Sequence, residues 1–196
     1  MHNILDRILN RIRRMLVGGV KKNIRGTNNI VNISSNLKGI GTLNITIIGN
    51  NNIIKVGKSC RLRKKNSIFI TGDNNIIDIG SCVSFDQNVL LVCCEGSSIV
   101  IGDDSMFAAQ VRIRTSDQHP IYDNNNNRLN PAKNVVIGKH VWLGASCLIM
   151  KGVTIGDNSV IGINSMVTKD IPKNCIAVGS PCKVIKNGIH WERKFK

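Results

Sequence analysis

From Ile137 onward the chain sets an aliphatic residue at every sixth position: Ile137, Leu143, Ile149, Ile155, Ile161 and Val167. Glycine follows at 138, 144, 156 and 162, and Cys147, Val153, Ser159 and Ser165 stand two places ahead of the aliphatic residues. A period of six is neither the 3.6 of a helix nor the 2 of a lone strand. It fits a solenoid in which each hexad is one flat side of a triangular coil, with an inward aliphatic residue and a turn, so that three hexads close a coil of about 18 residues. The same phase runs upstream through Ile101-Gly102, Phe107 and Ile113, and through Ile79-Gly80, Phe85 and Leu91. A longer echo relates Gly49-Asn-Asn-Asn-Ile-Ile-Lys-Val-Gly57 to Gly72-Asp-Asn-Asn-Ile-Ile-Asp-Ile-Gly80 and, shortened, to Gly96-Ser-Ser-Ile-Val-Ile-Gly102. These predict coils with longer corners, whose Asn and Gly suit the left-handed backbone of tight turns. The fold class expected is all-β, a parallel β-helix.

Two segments break the period. Over residues 1 to about 22, Ile4, Leu5, Ile8, Leu9, Ile12, Met15 and Leu16 fall within an arc of about 140° at about 100° per residue, which predicts an amphipathic helix. Between Ile113 and Ile137 the hexads stop, and residues 114–134 read as a loop thrown out from the solenoid, the place to look for chemistry. The expected organisation is a basic helical segment over 1–25, a β-helix over 26–186 carrying the loop, and a basic tail over 187–196.

The helix has two possible roles for one apolar face. Its polar face carries Arg7, Arg11, Arg13 and Arg14 against Asp6, with Lys21, Lys22 and Arg25 behind, which suits peripheral contact with an anionic membrane. An amphipathic helix would equally cap the first coil of a β-helix.

The chain has 196 residues, and 27 Lys and Arg against 12 Asp and Glu give a net charge of +15. That length makes one domain with an appendage, and 42% apolar residues support a continuous core rather than disorder. No apolar run is long enough for a membrane span, and charges interrupt any signal-peptide core. Seven cysteines, an odd number without a C-x-x-C pair, suggest neither a disulfide framework nor a zinc knuckle; no metal is expected, and a reducing cytoplasm fits. Cys93 and Cys94 are expected to point to opposite faces of a strand. The basic residues lack interleaved aromatics, so nucleic acid is not an expected partner.

Several stretches carry a resemblance: Asp117-Gln-His119-Pro120, Ile137-Gly-Lys-His-Val-Trp142-Leu-Gly144, Gly152-Val-Thr-Ile-Gly-Asp-Asn-Ser-Val-Ile-Gly162, Ser165-Met-Val-Thr-Lys-Asp-Ile-Pro172 and Gly179-Ser-Pro-Cys-Lys-Val-Ile185. From about Asn88 to Lys186 the chain resembles the hexapeptide-repeat acyltransferases with left-handed β-helices, and among them the galactoside, maltose and polysaccharide O-acetyltransferases. The left hand comes from this resemblance alone, since periodicity does not distinguish the two hands.

The resemblance implies transfer of an acetyl group from acetyl-CoA to a sugar hydroxyl, with His119 as general base. An imidazole suits proton removal near neutrality. His2, His140 and His190 lie in the helix, a hexad and the tail. Asp117 is the nearest acidic candidate to orient His119, with an Asx-turn role for Asp117 and a backbone carbonyl as the orienting group left open. Asn88 matches a position that contacts the acceptor. Glu95 falls near an acidic acceptor position, although Gly96 departs from the family pattern. Thr168, Lys169, Lys183 and Lys186 match positions that hold the phosphate end of the donor. Ala145 and Ile163 match positions whose backbone faces the pantetheine; 18 residues apart, they should stack one coil over the other. Trp142 matches an aromatic near the site.

The family also implies a homotrimer with active sites between chains, each loop reaching toward a neighbour. The large helical domain of serine acetyltransferases and the N-terminal segment of the maltose type are not recognised, so the acceptor expected is a saccharide of a surface polysaccharide pathway, with the enzyme cytoplasmic or peripheral at the inner face of the membrane. The rivals are an N-acetyltransferase of an amino sugar and a noncatalytic β-solenoid. A γ-type carbonic anhydrase would need three histidine ligands, and the four histidines have no paired spacing.

Overall fold

Every aliphatic or aromatic residue of the six-residue phase points inward. Ile79, Phe85, Leu91, Ile101, Phe107, Ile113, Ile137, Leu143, Ile149, Ile155, Ile161 and Val167 are all at most 2% exposed and form one continuous core. The computed structural model describes residues 19–38 and 41–193. The backbone around this core is a parallel β-solenoid with three flat sheets, and none of the described residues is helical.

Sheet A has seven strands, in spatial order Val20–Arg25, Leu43–Ile48, Asn66–Thr71, Leu90–Cys94, Arg112–Arg114, Leu148–Ile149 and Met166–Val167. Sheet B has six, from Ile30–Ile33 through Ile53–Val56, Ile76–Ile79, Ser98–Ile101 and Val135–Ile137 to Thr154–Ile155. Sheet C has seven, from Arg61–Leu62 through Ser84–Phe85, Met106–Phe107, Trp142–Leu143, Val160–Ile161 and Cys175–Gly179 to the antiparallel Cys182–Asn187. The chain visits them in the order A, B, C, which defines three corner columns, AB, BC and CA.

Coil length varies on one side only. Equivalent residues of successive coils lie 18 and then 16 apart at the C-terminal end, 22 or 23 apart in the upper coils, and 36 apart across the excursion. From sheet B through C to A the hexads keep their spacing; the extra residues enter between A and B, where the upper strands lengthen to six residues and the loop departs. Close stacking of glycines continues down the BC corner. A Cβ on Gly57 would stand 2.6 Å from backbone atoms of Gly80, and one on Gly102 equally close to Gly138.

The repeated asparagines divide into two kinds. Asn51 and Asn74 adopt left-handed backbone, at φ 56° and 60°, as their corner position demands. Their neighbours Asn52 and Asn75 are fully buried and form a ladder. Asn29 Oδ1 accepts from the backbone N–H and side-chain Nδ2 of Asn52, and Asn52 Oδ1 accepts from the same two groups of Asn75, each at 2.9 or 3.0 Å. Asn75 Oδ1 in turn accepts from Ser97 N–H at 3.2 Å. Turn chemistry alone does not predict this inner ladder, whose signal is an Asn recurring at the coil period. Asn75→Ala is expected to cost roughly 1–3 kcal/mol, because it strands buried polar groups. Urea unfolding at unchanged m-value measures it, and a loss below about 0.5 kcal/mol would refute the ladder's role.

The N-terminal boundary differs from expectation. The helix predicted over residues 1 to about 22 lies outside the described residues as far as 18, but its expected end does not: Val20–Arg25, assigned to the basic helical segment over 1–25, is the first strand of sheet A. It pairs in register with Leu43–Ile48, whose backbone groups would otherwise form an open edge.

Candidate active site

The loop leaves sheet A at Arg114 and rejoins sheet B at Val135, replacing one AB corner. Its two feet are tied by Lys133 N–H donating to Thr115 O at 2.9 Å. Buried Thr115 also receives hydrogen bonds at Oγ1 from Cys94 N–H at 3.0 Å and Ser97 Oγ at 2.7 Å. Cys94, on the outward face of its strand, is therefore only 2% exposed; Cys93, facing inward, is 0% exposed. The faces are opposite as alternation requires, but the loop's foot covers the outer one.

The corners of the coils above and below clamp the loop through ion pairs. Above, Glu95 accepts from Ser116 Oγ on one carboxylate oxygen and pairs with Arg128 at 2.7 Å through the other. Below, Lys151 Nζ donates to Asp117 Oδ2 at 2.6 Å and to Asn130 O at 2.9 Å. The Ser116 hydroxyl and then Arg128 hold the Glu95 carboxyl below its ordinary range, and Lys151 and then Asn130 do the same for Asp117. Both carboxylates are thus held ionised as loop anchors.

Buried Asn130 lies at the centre of this base. Its Nδ2 donates to Asp117 Oδ2 at 2.9 Å and to His119 O at 2.8 Å, while its Oδ1 accepts from Ile121 N–H at 2.6 Å. One amide therefore fixes the backbone on both sides of Pro120, immediately after His119. The His119 ring stands exposed, with no hydrogen bond or ion pair among the described residues. Beyond it, the turn at Asp123 is closed by backbone and side-chain bonds from Asn127, and exposed Ile121, Tyr122 and Leu129 mark the loop's outer surface.

Asp117 does not meet the ring it was expected to orient. Its Oδ2 is drawn instead to the Lys151 ammonium and the Asn130 amide, and it reaches His119 only through Asn130 and a backbone carbonyl. Glu95, expected at the acceptor, engages Ser116 and Arg128. Ser116, Arg128, Asn130 and Lys151 were not singled out in the sequence. Lys151 lies 34 residues from Asp117, and no local pattern links a corner lysine to a loop one coil earlier.

The remaining residues divide between two corners. Thr168 and Lys169 are exposed on the AB column, beneath the loop. Asn88 is exposed on the CA column with φ 59°, its N–H donating to Lys64 O at 3.3 Å. Lower on the CA column, Asn164 N–H donates to Ala145 O at 2.9 Å, and Ile163 lies one coil beneath Ala145 in register with it. The width of sheet A separates these two columns within one chain.

Trp142, Lys183 and Lys186 lie on the outer face of sheet C. Strict alternation would put residues 183 and 186 on opposite faces. A register shift between Ile176 and Ala177 leaves Ile185 without a partner, so that Lys186 lies opposite Ile176 and Lys183 opposite Val178. Because Cys175 and Ala177 are buried, Ile176 and Val178 face outward, and both lysines share their side. One outward column then runs from Trp142 through Val160 and Ile176 to Lys186.

The family model described as bacterial transferase hexapeptide (six repeats) matches residues 134–169. The chain is 41% identical over 100 residues to a polysialic acid O-acetyltransferase of Escherichia coli O1:K1 / APEC, a match covering 50% of this chain and 33% of that protein. It is 40% identical over 104 residues to the galactoside O-acetyltransferase of Escherichia coli K12, covering 53% and 51%. The chain thus spans a third to about half the length of these curated relatives. Among solved structures, the polysialic acid acetyltransferase NeuO superposes with a TM-score of 0.71 at 31% identity, over 92% of this chain and 91% of that one. The polysialic acid O-acetyltransferase OatWY gives 0.68 at 34% identity, over 89% and 92%.

Proposed function

This chain belongs to the hexapeptide-repeat acyltransferases, similar to the sugar and polysaccharide O-acetyltransferases, and from that premise we propose that it moves an acetyl group from acetyl-CoA to a hydroxyl of a surface polysaccharide. The observation that carries the reading is the His119 imidazole, unpartnered within the described residues and exposed on a loop whose backbone is held by Asn130 at His119 O and at Ile121 N–H. His119 takes the proton of the acceptor hydroxyl as that oxygen attacks the thioester carbonyl; the tetrahedral intermediate then expels the CoA thiolate, which is protonated on leaving. Holding both substrates together removes an entropic barrier of roughly 7–11 kcal/mol in favourable cases. No acyl-enzyme is needed, so no cysteine is given a role.

Lys183 and Lys186, brought to one face by the bulge, fit the phosphate end of the donor, as does Lys169 with Thr168; Ala145, Ile163 and Trp142 would flank its arm. Within one chain His119 and Thr168-Lys169 belong to the AB column, whereas Asn88, Ala145 and Ile163 belong to the CA column. That division, with exposed Ile121, Tyr122 and Leu129 on the loop, supports a homotrimer whose sites form between the AB column of one chain and the CA column of the next. Lys64 and Lys65 adjoin Asn88 at the CA corner, and this charge favours an acidic glycan, as the relatives named for polysialic acid would use. The reaction is placed in the cytoplasm, where acetyl-CoA and free thiols coexist.

Mass spectrometry after incubation with acetyl-CoA and a panel of neutral, amino and acidic saccharides tests the activity. An acetyl group removable by mild base on an acidic glycan is expected. A base-stable product would identify the N-acetyl rival, and no product on any acceptor would leave the noncatalytic solenoid standing. Sedimentation at micromolar concentration tests the assembly, and a fully active monomer would refute it.

A further inference from the structure

The C-terminal segment does not leave the solenoid. After the strand Cys182–Asn187 the chain turns at Gly188, with φ 70°, and climbs the BC corner back over earlier coils. Ile189 N–H donates to Asn174 O at 3.0 Å, and Asn158 Nδ2 donates to Ile189 O at 2.9 Å. Trp191 stacks on His140, with ring centroids 4.0 Å apart and planes at 12°, and its indole N–H donates to His140 O at 2.9 Å. Arg193 donates through Nε to Asp104 Oδ1 and through a terminal nitrogen to Ser84 Oγ, both at 2.8 Å. Residues 189, 191 and 193 thus engage corner residues of successive coils.

The His140 ring is held from both ends. Nδ1 lies 2.7 Å from Asp104 Oδ2 and Nε2 lies 2.9 Å from Trp191 O, so each ring nitrogen has a partner, one in an earlier coil and one in the tail. Trp191 also leans on Trp142, at 5.8 Å and 46°. The segment therefore touches two elements assigned above to the donor: Trp142 through its aromatic ring, and the lysine-bearing strand by direct continuation.

That strand needs a tether. It is the last of sheet C, hydrogen-bonded on one side only, and its ladder is interrupted at exposed Ile185, between the two lysines. Edge strands of this kind open first. We propose that Trp191 and His140 are positioning residues for donor binding: by locking the tail to the BC corner they hold Lys183 and Lys186 at the spacing that an anionic, phosphate-bearing donor requires. The inference rests on the donor reading above, which assigns no role to the tail.

Calorimetric titration of the full chain with CoA at low and high salt tests it without need of an acceptor. Wild-type affinity should fall as salt screens the lysines, and the Lys183→Ala/Lys186→Ala double variant should bind weakly and lose most of that salt dependence. Trp191→Ala removes no charge, yet it should weaken CoA binding roughly fivefold or more at low salt and converge on wild type at high salt. Trp191→Phe, which keeps a stacking ring, should recover most of the loss. Should Trp191→Ala fail to fold, His140→Gln gives the same reading. Equal weakening at both salts, or wild-type affinity in the neutral variants while the lysine variant is impaired, would overturn the strap alone. Wild-type affinity in the lysine variant would remove the phosphate reading and the strap with it.

Discussion

Alanine at position 119 is expected to lower kcat for acetyl transfer by ~100-fold or more and to leave CoA affinity within about twofold of wild type. The imidazole is exposed and makes no hydrogen bond or ion pair among the described residues, so its removal should change stability by less than about 0.5 kcal/mol. In the mechanism proposed above, what is lost is the group that takes the hydroxyl proton as the oxygen attacks, and water at its bulk pKa is a poor substitute. Single-turnover acetylation of the identified acceptor, with unfolding measured in parallel, separates chemistry from folding. A folded variant within tenfold of the wild-type rate would mean that another group is the base.

The second large effect is expected one step away from the ring. Asn130→Ala should reduce kcat roughly 10- to 100-fold, because displacement of a catalytic group by about 1 Å is enough for such losses. The amide it removes grips His119 O and Ile121 N–H together, the two backbone groups that flank Pro120. The substitution also takes one partner from Asp117, leaving Lys151 alone on that carboxylate. Limited proteolysis should then cut between residues 117 and 130 in the variant and spare that segment in the wild type. An unchanged rate with an opened loop would show that His119 needs no such scaffold.

Acid should reproduce part of this change. The Glu95 and Asp117 carboxyls are held below their ordinary values in the folded protein, so their contribution to holding the loop is full above the unfolded values, about pH 4, and is lost as pH falls through the folded ones. Lys151→Met removes the largest cause of the Asp117 shift and should bring loop release to higher pH. Proteolytic sensitivity of the loop against pH measures this directly.

The repeat alone was enough to specify the solenoid. An inward residue at every sixth position has one economical solution, a flat-sided coil, and the core from Ile79 to Val167 follows that register. The loop was legible as the gap in the phase between Ile113 and Ile137, and His119 through the motif around it. Other features depended on which coil lies above which. The clamp joins Asp117 to Lys151 and Glu95 to Arg128, partners 33 or 34 residues apart that meet only because the excursion separates adjacent corners by twice the ordinary coil. The shared face of Lys183 and Lys186 depends on a one-residue register shift against a neighbouring strand, and alternation along the sequence gives the opposite answer. The strap that joins His140 to Trp191 spans 51 residues and is likewise a product of stacking. Periodicity encodes what each residue does within its own coil, whereas contacts between coils depend on accumulated length; that is why the sequence alone determined the scaffold and the place of the loop, and the tertiary structure alone decided what holds that loop in place.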